Sequence, residues 1–375
     1  MKKLRELLKV GLGIGLVLAF ALILAFLFSA QRGAREAAQL TPTAITAEAT
    51  PTSIPQVESG FTAENIKVLK EVQITTDGKF AHLIMGVSWS PDSSKILFTK
   101  FSDRTIPDSG IPVTEIWVAN ADGTFPQQVA ESGYWPTWSP DGSTIAYVSC
   151  ADGARETEIW TMNANGTGRR KLNTVVGGSR VAWLSDAMLA FIDNAHIYRL
   201  GRDSKGLVQI SEREVKQAGP IGFLASPDGK RLVIANGAEL WVSNADGSAA
   251  VKLSDHFYDA VGGLAWSPDS QKIIYGTSAR EIYIVEVDEK MKQTKLMTLT
   301  GRGGPGPFSW SPDGNVIAFD ATIDGTSGTF VINIDGTGLR NLLPDVGFPV
   351  WSPDGKKIAF ERSDGNLWIA FLSLE

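Results

Sequence analysis

The stretch Val350–Gly365, VWSPDGKKIAFERSDG, decides how the chain is read. Its centre, Trp351-Ser352-Pro353-Asp354-Gly355, can be the signature of a reactive site or the unit of a repeating architecture. Counting copies separates the two. VSWSPDSSKILF surrounds Trp89, PTWSPDGSTIAY Trp138, VAWLSDAMLAF Trp183, LAWSPDSQKIIY Trp266 and FSWSPDGNVIAF Trp310, while FLASPDGKRLVI carries Ala225 in the tryptophan's place. Successive copies lie 49, 45, 42, 41, 44 and 41 residues apart, about the length of one four-stranded propeller blade.

A second element follows each copy: EIWVANADGT at Glu115, EIWTMNANGT at Glu158, HIYRLGRDSKG at His196, ELWVSNADGS at Glu239, EIYIVEVDEK at Glu281, TFVINIDGT at Thr329 and NLWIAFLSLE at Asn366. These are short, aromatic and β-branched, and most end in Asn/Asp-Gly turn residues. Each repeat therefore reads as strand a ending at the Trp, the SPDG turn, strand b, a variable loop, strand c, an NADG-type turn and strand d. The seventh repeat stops after strand c, and IKVLKEVQITTDG, from Ile66 to Gly78, precedes the first as an orphan strand d. The expected fold is an all-β, seven-bladed propeller of four-stranded antiparallel blades, closed by pairing that N-terminal strand with the last three.

The repeated motif has a stereochemical reading that needs no ligand. Ser can bond back to the turn, Pro presets φ near −65°, and Gly supplies a position that often needs positive φ. The exceptions are Ser93 and Ser270, which replace that Gly and argue against one shared geometry. Trp89, Trp138, Trp183, Trp266, Trp310 and Trp351 are large wedges suited to packing between neighbouring sheets. On this reading Asp92, Asp141, Asp228, Asp269, Asp313 and Asp354 are turn residues rather than catalysts.

With W-S-P-D-G, an apolar strand and I-W-V/M-N-A-D-G repeated in this order, the chain from about Ile66 to Glu375 resembles the TolB-like β-propellers. It is also similar to the propeller domains of the prolyl oligopeptidase group. The TolB resemblance implies six blades as the alternative count and a role in envelope scaffolding through protein contacts. The α/β domain that precedes the TolB propeller is replaced here by an N-terminal segment of another kind.

Lys2, Lys3, Arg5 and Lys9 precede VGLGIGLVLAFALILAFLF, Val10 to Phe28, which holds no polar residue. Nineteen residues reach roughly 28 Å as a helix, enough to span a bilayer's hydrocarbon core. A cleaved signal peptide is the competing reading. The cation excess before the span places the N-terminus in the cytoplasm and the rest of the chain outside it. Thr41 to Gly60, TPTAITAEATPTSIPQVESG, reads as a tether. The expected organisation is 1–9 basic cytoplasmic segment, 10–30 transmembrane anchor, 31–63 linker and 64–375 propeller.

The net charge of −6 and the lack of a long Lys/Arg run argue against nucleic acid as a partner. A single cysteine, Cys150, permits no internal disulfide. His82, His196 and His256 fall in different blades, so they suggest neither a metal cluster nor a triad. No G-x-S-x-G elbow occurs, and GRGGPG at Gly301 lacks the residues of a P-loop. No cofactor, metal or catalytic residue is expected.

Up-and-down strands sort the loops. The a–b and c–d turns share one face, and with it Asp122, Asp246 and Asp335 join the SPDG aspartates. The b–c and d–a loops, irregular in length and sequence, share the other, and variable loops on a rigid ring are where recognition concentrates. Candidate binding residues are those where d–a loops meet the central channel: Tyr134, Trp135, Arg180, His256, Tyr258, Arg302 and Phe348. The leading expectation is a membrane-anchored, extracytoplasmic, non-catalytic module that binds a protein or polysaccharide on its variable face. A carbohydrate-active hydrolase or lyase with carboxylates at the channel is the alternative.

Overall fold

The computed structural model describes residues 60–80, 86–105, 112–150, 156–176, 180–211, 222–258, 263–300, 304 and 306–375. The expected anchor at 10–30, nearly all of the expected linker, His82 and the candidate binding residue Arg302 lie outside the described residues. Among those described, no helix is long and apolar enough to cross a membrane.

Seven antiparallel sheets of four strands are formed, six of them from consecutive strands. The seventh combines the last three strands with the first, Ile66–Gln73, which pairs with Leu367–Leu374 from Ile66↔Leu374 to Gln73↔Trp368. Seven blades replace the six-bladed alternative, and the N-terminal strand supplies strand d of blade 7. Packing starts slightly earlier than that strand, because Phe61 and Ala63 are buried.

The innermost strands are Val87–Trp89, Tyr134–Trp138, Val181–Ser185, Phe223–Ala225, Leu264–Trp266, Phe308–Trp310 and Val346–Trp351. Apolar side chains run consecutively through the b strands, as in Ile96-Leu97-Phe98 and Ile317-Ala318-Phe319, and successive side chains point to opposite faces, so each sheet is apolar on both and must be covered twice. The core accordingly divides into seven clusters, one between each pair of neighbouring blades.

The motif builds these interfaces. In six turns the buried Ser hydroxyl donates to the Asp two residues on, at 2.5–2.6 Å. The same oxygen accepts the backbone N–H five residues on, at 2.8–3.0 Å. These bonds lock each turn from within. The indole N–H groups of Trp89, Trp138, Trp183 and Trp266 donate across the blade boundary to the carbonyls of Val350, Ser88, Thr137 and Leu224. The tryptophan is thus a wedge and a stitch between strands a of adjacent blades.

Ser93 and Ser270 correct a sequence expectation. Both adopt φ of 60°, the left-handed geometry of the glycines they replace, a conformation normally unfavourable for a residue with a Cβ. The Ser93 hydroxyl accepts the Asp354 N–H of blade 7, and that of Ser270 accepts the Asp228 N–H of blade 4. In the degenerate third turn the Asp186 carboxylate does the same for the Asp141 N–H. The departures from Gly are cross-links between blades.

Candidate functional site

The central channel encloses a cavity of about 580 Å³ lined by strands a of several blades. Its geometry follows from one position, three residues before the Trp. Around the ring this position holds Gly86, Trp135, Arg180, Gly222, Gly263, Pro307 and Phe348. Trp135, Arg180, Pro307 and Phe348 line the cavity at its loop-face end. The turn-face end is lined by Pro91, Pro140, Pro227 and Pro353 of the SPDG turns. Arg180 is the sole charged side chain among the described lining residues, which include no carboxylate.

Two of the mouth residues are displayed by backbone irregularities. Strand a slips register against strand b between Tyr134 and Thr137 in blade 2, and between Gly347 and Val350 in blade 7. Within those bulges Trp135 and Phe348 take φ of 57° and 59°. A bulky aromatic at positive φ is an outlier, and bulges characteristically re-aim a side chain. Here they place aromatic surface in the channel. The Arg180 guanidinium lies 5.1 Å from the centre of the Trp135 ring, a stacking cation–π geometry.

The sequence-derived candidates divide. Trp135, Arg180 and Phe348 share the cavity. Tyr134 packs instead on the core between blades 2 and 3. His256 is exposed and engages through its backbone, its carbonyl accepting the Ser278 N–H at 3.0 Å. Tyr258 lies against Gly304, where an added Cβ would come within 2.0 Å of its ring. Neither His256 nor Tyr258 lines the cavity. Pro307 and Gly86 were not singled out from the sequence. Counting three residues back from each Trp finds them.

A second feature near the loop face escaped the motif reading. Asp320, on strand Val316–Ile323, points at blade 7, where a Cβ on Gly347 would lie 2.6 Å from its Oδ2. Gly347 pairs across the sheet with the buried Glu361. Burial, and then the charge of Glu361, push the Asp320 carboxyl up to about 6. Asp320 and Glu361 are outside the cavity lining. Among the described residues no three His, Cys, Asp or Glu side chains are grouped as metal ligands.

The TolB beta propeller domain model matches residues 71–301, more than half of the chain. The chain belongs to the TolB β-propeller domain family. Among curated proteins, this TolB-like chain is 25% identical over 198 residues to an uncharacterized peptidase, YuxL, of Bacillus subtilis, covering 52% of this chain and 29% of the relative. It is 33% identical over 94 residues to the Tol-Pal system protein TolB of Anaeromyxobacter dehalogenans, covering 24% of this chain and 19% of that protein. The chain thus spans less than a third of either relative's length. Among solved structures, an oligogalacturonate lyase of Vibrio parahaemolyticus aligns with a TM-score of 0.61 at 15% identity, over 82% of this chain and 96% of that one. The Swd1 propeller of Myceliophteria thermophila aligns with a TM-score of 0.59 at 10% identity, over 81% of this chain and 100% of that one. At such identities these two likenesses show the fold alone.

Proposed function

We propose that this TolB-like propeller is an extracytoplasmic binding scaffold, anchored through residues 10–30, that captures a protein or ligand at the loop-face mouth of its channel. The observation that carries the reading is the pair of left-handed aromatic bulges, Trp135 and Phe348, opening on the cavity that Arg180 also lines. Strain of this kind persists where the surroundings over-determine it, and it concentrates at binding sites. Aromatic and Arg side chains supply binding energy out of proportion to their number. A cavity lining of proline, tryptophan and small residues, without a carboxylate among those described, suits recognition better than acid–base chemistry. The Tol-Pal system protein among the relatives agrees with a protein partner and an envelope location for this chain.

A photo-crosslinking residue at Trp135 in the intact, membrane-resident protein tests the site. The reading expects adducts that disappear when Arg180 and Phe348 are both changed to Ala. Adducts unchanged by that double substitution would place recognition elsewhere.

One observation favours a second reading, a carbohydrate-active hydrolase or lyase. Burial and the charge of Glu361 push the Asp320 carboxyl up to about 6, and a carboxyl that keeps its proton above the ordinary range can act as a general acid. Polysaccharide turnover abolished by Asp320→Asn and by Glu361→Gln would establish it. Polysaccharide binding without turnover would return the site to the scaffold reading.

A further inference from the structure

The chain enters the ring on the turn face. The Phe61 N–H donates to the Asp313 carboxylate in the SPDG turn of blade 6, at 3.1 Å. The Phe61 ring fills the notch left by Gly355 in the SPDG turn of blade 7, where a Cβ would lie 2.5 Å from the ring. The Ala63 N–H donates to Asn333 in the c–d turn region of blade 6, and Arg340 donates to the carbonyls of Ala63 and Ile66. The described part of the chain therefore begins on the turn face.

That face also carries most of the exposed large apolar side chains among the described residues. Phe125 is 81% exposed, Leu207 50%, Val251 41% and Leu339 39%, and all four lie at c–d turns or the first residue after them. Leu374, at the turn-face end of the last strand, is 42% exposed. Among the described residues the one other large exposed apolar side chain is Leu69, on the outermost strand of blade 7. Phe125 is held outward at φ of 53°, an unusual conformation for an aromatic.

We infer that the turn face is a membrane-contacting surface, with these side chains as a peripheral ring resting in the headgroup region of the bilayer. The inference rests on the anchor proposed above. The five residues belong to blades 1, 3, 4, 6 and 7, so they are distributed around a disc and form no single patch. A compact partner cannot cover such a set, whereas a plane touches it all at once. If the linker expected at 31–63 acts as a tether, its root-mean-square reach is about 30 Å. This confines the disc close to the bilayer at millimolar effective concentration, where individually weak contacts suffice. The carboxylates of Asp122, Asp246 and Asp335 sit in the same turns, each accepting a hydrogen bond from Thr124, Ser248 or Thr337. Their charge is repelled by anionic lipid, so the surface fits a zwitterionic one. The loop face then points away from the membrane, open to partners.

The test uses the full chain reconstituted in phosphatidylcholine vesicles, with Cys150→Ser and a single NBD label at Phe125→Cys, at Leu339→Cys or, on the loop face, at Thr326→Cys. Lipids with a headgroup-region nitroxide should cut emission about twofold at 125 and 339 and leave 326 unchanged, since an interfacial contact sits within the nitroxide's depth. Vesicle flotation and alkaline extraction are read on the same samples. Protein that resists extraction yet shows no quenching at 125 and 339, or equal quenching at all three positions, overturns the face assignment while leaving the anchor intact. Protein released by alkali overturns the anchor and this inference with it. Placing Asp at both Phe125 and Leu339 should abolish quenching of a label at Leu207→Cys, and undiminished quenching there also counts against the ring.

Discussion

Phe61 meets the indole of Trp351 edge-on, with ring centroids 5.4 Å apart and the planes at 83°. The turn of blade 7 carries Gly355 where blades 1 and 5 have the cross-linking Ser93 and Ser270, and the Trp351 indole nitrogen is buried without a hydrogen-bond partner among the described residues. Phe61 supplies packing where the repeating devices are missing, so the ring is closed twice, by strand Ile66–Gln73 and by this side chain. Phe61→Ala should destabilise the protein by about 3–4 kcal/mol, the usual cost of emptying a buried aromatic site. Thermal and denaturant unfolding measure it. A loss below about 1 kcal/mol, the range of surface substitutions, would show that the strand alone seals the ring.

Ser93 allows two opposing effects to be weighed. Ser93→Gly removes the bond from the Asp354 N–H but relieves a left-handed Cβ, two terms of about 1 kcal/mol each and opposite sign. Ser93→Ala removes the bond and keeps the strain. The expected order of stability is wild type and Ser93→Gly nearly equal, with Ser93→Ala lower by about 1–2 kcal/mol. Equal midpoints for the Gly and Ala variants would mean that the cross-link contributes nothing.

The repeat makes most of the architecture readable from the sequence. The orphan strand beginning at Ile66, the missing last strand and the sorting of turns by face all followed from where WSPDG recurs. The site was readable only where the same register reaches it: Trp135, Arg180 and Phe348 stand three residues before a motif position. Tyr134, one residue earlier, lies on the other side of the pleat and goes to the core. Counting alone could not reveal the bulges that turn Trp135 and Phe348 into the channel, because register slips leave no mark in composition. Asp320 and Glu361 were hidden for another reason. They sit ten residues after Trp310 and Trp351, where blades 1 and 2 carry Thr99 and Val148, and only the approach of Gly347 to Asp320 brings them together.

Asp320 ties stability to pH. Its carboxyl is raised from 3.8 to about 6 by burial and by Glu361. The folded protein therefore binds a proton that the unfolded chain releases near pH 4. Stability from this group is fully present below that pH and is lost as pH rises through about 6. The loss amounts to at most about 3 kcal/mol for two pH units. Asp320→Asn removes the penalty and should raise the melting temperature at pH 7.5 by a few degrees, with the gain vanishing near pH 4. A gain independent of pH would assign the effect to packing rather than to charge.

The mouth residues can be separated from the structural tryptophans by the same arithmetic. Trp135 and Phe348 are half-buried at positive φ, so replacing either by Gly loses packing but relieves about 1–2 kcal/mol of backbone strain. Trp138 is buried at ordinary φ and donates to Ser88 O, and its replacement by Ala has no such compensation. Trp138→Ala should cost about 3–5 kcal/mol, while Trp135→Gly and Phe348→Gly should shift stability by less than about 1 kcal/mol. Capture of the partner at the channel mouth should then fail in the two glycine variants although both are folded at the assay temperature. If they bind as well as wild type, the bulges are features of strand geometry, and recognition belongs to the loops beyond them.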